Sequence, residues 1–327
     1  MTVLRLAIAS PLRRSFDYLP PPALDAAQVE SLQPGVRLRV PFGSREVTGY
    51  LLAVAEDSEL DRDSLKNALE LLDPTPLVEP KLVELCLWAA EYYQHPVGEV
   101  MNALFPRALR EGKPHTGAGQ SAWRLSARGE GLPEGALARS PRQAEALGLL
   151  QQGGVVSAAD FKARGVGSAI LAKMLEKTLV ERCLQPAVAE FPTPGTGLAL
   201  NDEQATVVNA LMQAGAGFSC HLLEGVTGSG KTEIYLQLIE ACLERGQQAL
   251  VLIPEIGLTP QTLDRFRKRF GNGIAVLHSG LSDSSRYQAW DAARCARAQI
   301  IIGTRSAVFT PLQQPGLIIV DEEHDSS

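Results

Sequence analysis

Hydrophobic and polar positions change their period twice along the chain. Up to about residue 108, short alternating runs dominate: VLRLAIA, GVRLRVPFG and EVTGYLLAVAE. Arg37 and Arg39 alternate with Val36, Leu38 and Val40, a period of two that predicts a strand with one wet face. The stretch LVEPKLVELCLWAAEYYQHPVGEVMNALFP then reads as helix, with Val83, Leu87, Ala90 and Tyr93 along one stripe. The expectation for residues 1–108 is a β-rich, barrel-like module with a helical tail.

Residues 109–120, LREGKPHTGAGQ, are polar and glycine-rich, as a linker would be. Three short helical patterns follow, with Ser140, Ser157 and Ser168 placed as N-caps, and then an extended LVERCLQ. That order resembles a winged helix over residues 121–190, with a plain helical spacer as the alternative. AEFPTPGTG reads as a second linker. From residue 198 to 327, near-continuous Val/Ile/Leu runs (CHLLEG, ALVLIP, IAVLHSG, QIIIGT and GLIIV) alternate with helical patterns. Such runs predict a parallel sheet covered on both faces, an α/β lobe.

Chemistry gathers in this last region. Gly225-Val226-Thr227-Gly228-Ser229-Gly230-Lys231-Thr232 matches G-x-x-x-x-G-K-[ST], after an expected strand HLLE and before an expected helix. Glycines let the loop's backbone N–H groups wrap phosphates, and the helix N-terminus adds favourable partial charge. Lys231 is then expected on the β- and γ-phosphates of ATP and Thr232 on Mg²⁺. Asp321-Glu322-Glu323-His324 follows the strand GLIIV. Alone it reads as a solvated turn; beside a phosphate loop, Asp321 is placed to hold the metal and Glu322 to polarise the attacking water. Thr304 and Arg305 open a predicted helix that can receive a backbone phosphate. Arg265, Arg267, Lys268 and Arg269 form the densest basic cluster, a DNA contact or simply a solvated helix face.

Composition narrows this picture only slightly. With 327 residues, 45% of them hydrophobic, two or three domains are expected. A net charge of −6 does not advertise nucleic-acid binding, although a local basic groove can sit on an acidic protein. The start MTVLRLAIASPLRR lacks a signal-peptide core, and no apolar run reaches the roughly 20 residues needed to span a bilayer. Cys86, Cys183, Cys220, Cys242 and Cys295 are scattered, which predicts reduced thiols in a cytoplasm and no zinc site within these residues.

Taken together, GVTGSGKTEIY, LIPEIGLTPQT, LHSGL, GTRSAVFTP and DEEHDSS, with the earlier SFDYLPP, VRLRVPFG and WAAEYYQHPVGEV, resemble the bacterial primosomal replication-restart helicases, the PriA family of superfamily 2. The resemblance implies an N-terminal domain that binds the 3′ end of a nascent strand at a fork, in a pocket mapping onto Phe16, Asp17, Tyr18, Gly43 and Lys66. An aromatic ring can stack on a terminal base and a carboxylate can accept from a 3′-hydroxyl. From the residues alone, Phe16 and Tyr18 read as core. The resemblance gives Gln204 the role of reading adenine, and LIPEIGLTPQTLDRFRKRF and the stretch from His278 to Pro311 that of tracking single-stranded DNA. It further implies an ATP- and Mg²⁺-dependent 3′-to-5′ DNA helicase, monomeric, that reloads the replicative helicase with primosome proteins and single-stranded-DNA-binding protein. The family's second RecA-like lobe and zinc module find no counterpart before Ser327. The chain is therefore expected to be an N-terminal portion that binds forks without unwinding them. Two rivals remain open: a non-catalytic DNA-binding module, and a small-molecule P-loop kinase or transporter ATPase.

Overall fold

The computed structural model describes residues 2–115, 120–133, 136–137, 140–157, 160–161, 164–185, 197, 199–213, 217–226, 228–271 and 273–322. Residues 1–115 and 189–327 form one unit and residues 116–188 a second.

The first unit begins with an antiparallel sheet of β1 (Val3–Ile8), β2 (Phe16–Tyr18), β3 (Arg37–Phe42), β4 (Arg45–Ala55) and β5 (Glu70–Leu71), in the order β2-β1-β4-β3-β5. Leu4, Leu6, Ile8, Tyr18, Leu38, Val40 and Leu51 pack on one face, with Val29 of helix α1 (Ala26–Glu30). Alternation located that face correctly but misjudged the other. Arg37 is fully buried, and its guanidinium bonds Asp73 at 2.6 and 2.8 Å, the Leu109 carbonyl, and the Lys113 carbonyl at 3.2 Å. The side expected to be wet is covered there by the chain around residue 109, so Leu109, expected in a linker, is itself core.

Three helices follow: α2 (Pro80–Tyr92), α3 (Val97–Ala103) and α4 (Arg107–Arg110). The buried residues of α2 are Val83, Cys86, Ala89 and Ala90, whereas Leu87 and Tyr93 are exposed. The expected stripe was thus turned by about a residue: small Cys86 and Ala89 point into the core that α2 shares with α3, and α3 presses close to the sheet. At Gly98 the approach is closest, since a Cβ there would lie 1.8 Å from the Ile8 carbonyl oxygen. Tyr50 stacks on Phe105 with centroids 5.0 Å apart and donates to Asn102 at 2.7 Å.

The second unit holds β6 (Gln120–Leu125), β7 (Val155–Ser157) and β8 (Val180–Gln185) in the order β7-β6-β8, antiparallel. With them come α5 (Ala127–Glu130), α6 (Pro141–Gly153) and α7 (Ser168–Glu176). Trp123, Ala146, Leu150, Phe161, Val166, Leu171 and Met174 form its core. Ser140 is the N-cap of α6 as expected, but Ser157 ends β7 and Ser168 is already helical, with Gly167 as the cap. Residues 158, 159, 162 and 163 of the middle predicted helix lie outside the described residues. Strand β6 was missed because its start falls in a glycine-rich stretch, and only pairing with β8 reveals it.

The rest of the first unit is a parallel sheet of β9 (Gln248–Leu252), β10 (Ile274–Leu277), β11 (Ile300–Gly303) and β12 (Pro315–Val320), in the order β10-β11-β9-β12. Its helices are α8 (Asp202–Met212), α9 (Lys231–Glu244), α10 (Pro260–Phe270) and α11 (Asp283–Arg294). Successive residues of β9 serve opposite faces: Ala249 and Val251 join Ile239, Phe266 and Phe270, while Leu250 joins Ala275, Ala293 and Ile301. Two covered faces are why β9 and β11 read as nearly unbroken apolar runs. Residues 219–225 depart from expectation. They are unpaired and largely exposed rather than a strand, and edge strand β12 also leaves Ile318 and Val320 exposed. An apolar run becomes a strand only where a sheet edge takes up its backbone groups, and no such pairing exists here among the described residues. No described helix is long and apolar enough to cross a membrane.

Candidate nucleotide and DNA sites

The loop from Gly225 to Gly230 leads directly into α9, whose first residues are Lys231 and Thr232. Gly230 caps that helix with φ +86°, and Gly228 lies at φ +82°, left-handed conformations that favour glycine. Lys231 Nζ donates to the carbonyl oxygens of Gly225 at 2.5 Å and Val226 at 3.2 Å. The ammonium therefore lies over the carbonyls of its own loop. Thr227 lies outside the described residues.

Gln204 comes to this loop. Asn201 and Gln204 cap α8 reciprocally, with the Gln204 amide oxygen accepting from Asn201 N at 3.0 Å. Its Nε2 then donates to the Ser229 carbonyl at 3.0 Å. A Cβ on Gly230 would stand 2.3 Å from that nitrogen and would push the Gln204 amide off the Ser229 carbonyl.

Asp321, just past β12, is linked to the same helix. Tyr235 donates its hydroxyl to Asp321 Oδ1 at 3.3 Å, and the Asp321 N–H bonds the Leu252 carbonyl at 2.9 Å. Tyr235 follows Thr232 by three positions, so both occupy one face of α9. Burial first, and then the Asp321 carboxylate, push the Tyr235 phenol up to about 12. A hydroxyl and a carboxylate on facing elements are hard oxygen donors of the kind Mg²⁺ takes, and they fit it. Among the described residues, there is no group of three or more His, Cys, Asp or Glu that could hold a metal ion. Glu322 sits at φ +49°; Glu323 and His324 lie outside the described residues. Sequence reasoning missed Tyr235, although its helical spacing from Thr232 was a usable signal.

Thr304 is buried and opens a five-residue 3₁₀ turn, Arg305–Phe309, rather than the expected α-helix. Thr304 lines a small cleft with Glu255, Leu258, Leu263, His278 and Ser279, so the LIPEIGLT, LHSG and GTRS stretches meet at one end of the sheet. The basic cluster on α10 divides. Arg265 and Lys268 are exposed, Arg267 lies 3.6 Å from Asp264, and Arg269 is buried against Glu240.

In the N-terminal sheet, strand alternation separates the residues of the expected 3′-end pocket. Phe16 packs edge-on against Phe42 at 5.1 Å, beside the Gly43 turn (φ +61°), with the Arg14 guanidinium 5.2 Å above its ring. Tyr18 is core and donates to the Pro41 carbonyl at 2.9 Å. Asp17 points the other way, where it meets Arg5 at 3.1 Å and the Ser58 hydroxyl at 2.8 Å. The bond to Asp17 raises the Arg5 pKa. Lys66 is exposed, its carbonyl accepting from Leu19 N. Arg5 was legible as a partner only once the β1–β2 register paired it with Asp17; nothing in the sequence signalled Ser58.

These two regions coincide with two families. Residues 5–106 match the 3′DNA-binding domain (3′BD) family, and residues 201–327 match the DEAD/DEAH box helicase family. The whole chain is 41% identical to the replication restart protein PriA of Haemophilus influenzae, covering 45% of that protein. It is 30% identical to the Bacillus subtilis protein of the same name over 96% of this chain and 47% of that one. A Synechocystis relative is 46% identical over 55% of the chain. The chain thus spans about half the length of the curated relatives it matches. A DNA-binding domain and a helicase lobe in this order, with similarity from end to end, show that the chain belongs with the N-terminal half of the PriA family of replication restart proteins.

Proposed function

We propose that the chain supplies the fork-recognition and first nucleotide-binding parts of an ATP-dependent, 3′-to-5′ DNA helicase of replication restart. The observation that carries this reading is the meeting of Gln204, the Gly225–Thr232 loop and Asp321 around the start of α9, in one unit with a sheet of the 3′-end-binding family. MgATP, when bound, supplies the phosphoryl-transfer energy. For their part, Lys231 offers a cation to the phosphates, Thr232 and Asp321 offer oxygens to the metal, and Glu322 orients water. Phe16, Asp17, Tyr18, Gly43 and Lys66 are assigned to the nascent 3′ end, and Thr304 and Arg305 to single-stranded DNA. The three-part division at 1–108, 121–190 and 198–327 is retained, with the middle part read as a winged helix on its three-stranded sheet and helices. Branched DNA, primosome proteins and single-stranded-DNA-binding protein are the partners that this reading entails.

The decisive experiment compares anisotropy on forks with a free 3′-hydroxyl and with a 3′-phosphate. Tighter binding to the hydroxyl, lost in Asp17→Ala, is expected; equal affinity for both forks refutes end recognition. A second reading, fork binding without turnover, is favoured by the unpaired segment 219–225 before the phosphate loop. DNA-stimulated ATP hydrolysis that disappears in Lys231→Ala would reject it.

A further inference from the structure

Asp321 is firmly placed by its backbone and loosely by its side chain. Its N–H bonds the Leu252 carbonyl at 2.9 Å, where β12 runs out beside β9. The carboxylate is only partly buried and has no ion pair among the described residues. Among those residues its one hydrogen bond comes from the Tyr235 hydroxyl, at 3.3 Å to Oδ1. Tyr235 is better fixed than the group it holds. Its ring packs against the core that contains Ile239, Val251 and Ile319, so the hydroxyl is aimed by a seated ring.

A carboxylate that ligates a metal is itself held by a hydrogen bond, which fixes its orientation and leaves an oxygen for the ion. The contact with Tyr235 has that form, because it occupies Oδ1 and leaves Oδ2 without a partner among the described residues. Position on the helix adds a second observation. Tyr235 stands three residues after Thr232 and four after Lys231, so it shares their face of α9 one turn further on. One helix face thereby presents the cation meant for phosphate, the hydroxyl meant for the metal and the clamp on the acidic residue across from them.

We infer that Tyr235 is a positioning residue for the metal half of the nucleotide site: its phenol holds the Asp321 carboxylate in the orientation that takes Mg²⁺. The inference rests on the reading of Asp321 as the metal's carboxylate. Phenylalanine at this position keeps the packed ring and removes only the clamp, so the hydroxyl can be tested without disturbing the core.

The probe is N-methylanthraniloyl-ATP, titrated by fluorescence against the full chain in Mg²⁺ and again in EDTA. Tyr235→Phe is expected to weaken binding about tenfold in Mg²⁺, as removal of a hydrogen bond behind a metal ligand does, and to leave affinity in EDTA unchanged. Damage to packing would lower both affinities, so the split is one that a merely structural role does not give. Asp321→Ala should remove most of the gain from Mg²⁺. Adding Tyr235→Phe to it should then cost nothing more, since a residue that acts through Asp321 has nothing left to hold. Melting curves check that each variant is folded. The inference is overturned if Tyr235→Phe binds like the wild type in Mg²⁺, or loses as much affinity in EDTA. It is equally overturned if the two substitutions weaken Mg²⁺-dependent binding additively. If Asp321→Ala keeps the wild-type response to Mg²⁺, the metal reading of Asp321 falls, and this inference with it.

Discussion

Trp290 donates its indole N–H to the Leu104 carbonyl at 2.7 Å, joining residues 186 positions apart. The ring sits in the same core as Tyr50, Val83, Met101 and Phe105. Around it, Asp291 receives His115 at 2.7 Å, Arg294 at 3.2 Å and Arg297 at 2.5 Å, and Arg107 reaches Asp283 at 3.3 Å. Helix α11 of the nucleotide-binding lobe is thereby seated on the N-terminal helices. Trp290→Ala should lower stability by about 3–5 kcal/mol in chemical denaturation, as loss of a buried tryptophan does. Trp290→Phe keeps the ring but strands the Leu104 carbonyl, at a cost of about 1–3 kcal/mol. Unchanged stability in Trp290→Phe would show that the indole bond contributes nothing.

Arg37 and Asp73 make a second, fully buried relationship. Asp73→Ala leaves a guanidinium without its counter-charge and should destabilise by about 3–5 kcal/mol. A double replacement, Arg37→Met with Asp73→Leu, removes both charges but orphans the Leu109 and Lys113 carbonyls. It should recover only part of that loss. Urea midpoints for the single and double variants measure the difference.

Alkaline pH should unfold the protein earlier than acid-labile contacts would suggest. Burial pushes the Cys86 thiol from its ordinary 9.0 up to about 12 and raises the Tyr50 phenol. The Tyr235 phenol goes from 10.0 up to about 12. Groups whose folded pKa is raised hold their proton longer in the folded state. Their contribution is complete below pH 9 and is lost between about pH 9 and 12. Denaturation midpoints should be flat from pH 7 to 8.5 and fall steadily above 9, less steeply in Cys86→Ala when scaled to its own neutral value.

Cysteine labelling should follow exposure. Cys220 and Cys295 are exposed and Cys86 and Cys242 are buried. Burial also raises the Cys242 thiol. Iodoacetamide at pH 8 is expected to modify Cys220 and Cys295 within minutes and to reach Cys86 and Cys242 only in denaturant, read by peptide mass spectrometry. Rapid labelling of Cys86 would contradict the packing of α2.

Lys231→Ala should weaken MgATP binding roughly ten- to a hundredfold, the worth of a charge-assisted bond to phosphate, without changing the thermal midpoint. Among the described residues the side chain is held by two carbonyls of its own loop alone, so the folded protein loses little. Fluorescent-nucleotide titration beside a melting curve separates the two effects.

Local order determined a large share of this protein in advance. The phosphate loop, its helix and the acidic turn after β12 are contiguous strings, and each needs only its neighbours in sequence to take shape. Apolar runs likewise announced β9 to β12; β9 and β11 are covered on both faces, so they need few polar positions. Tertiary structure decided what depends on distant partners. It covered Arg37 with the chain near Leu109, sent Arg269 to Glu240, turned α2 so that Cys86 faces inward, and left residues 219–225 without a strand to pair with. It also parted Asp17 from Phe16 across the sheet and seated Trp290 under Leu104. Periodicity states that a face is apolar or wet. Which segment arrives to cover it, and which charge meets which, is settled by contacts that no local pattern contains.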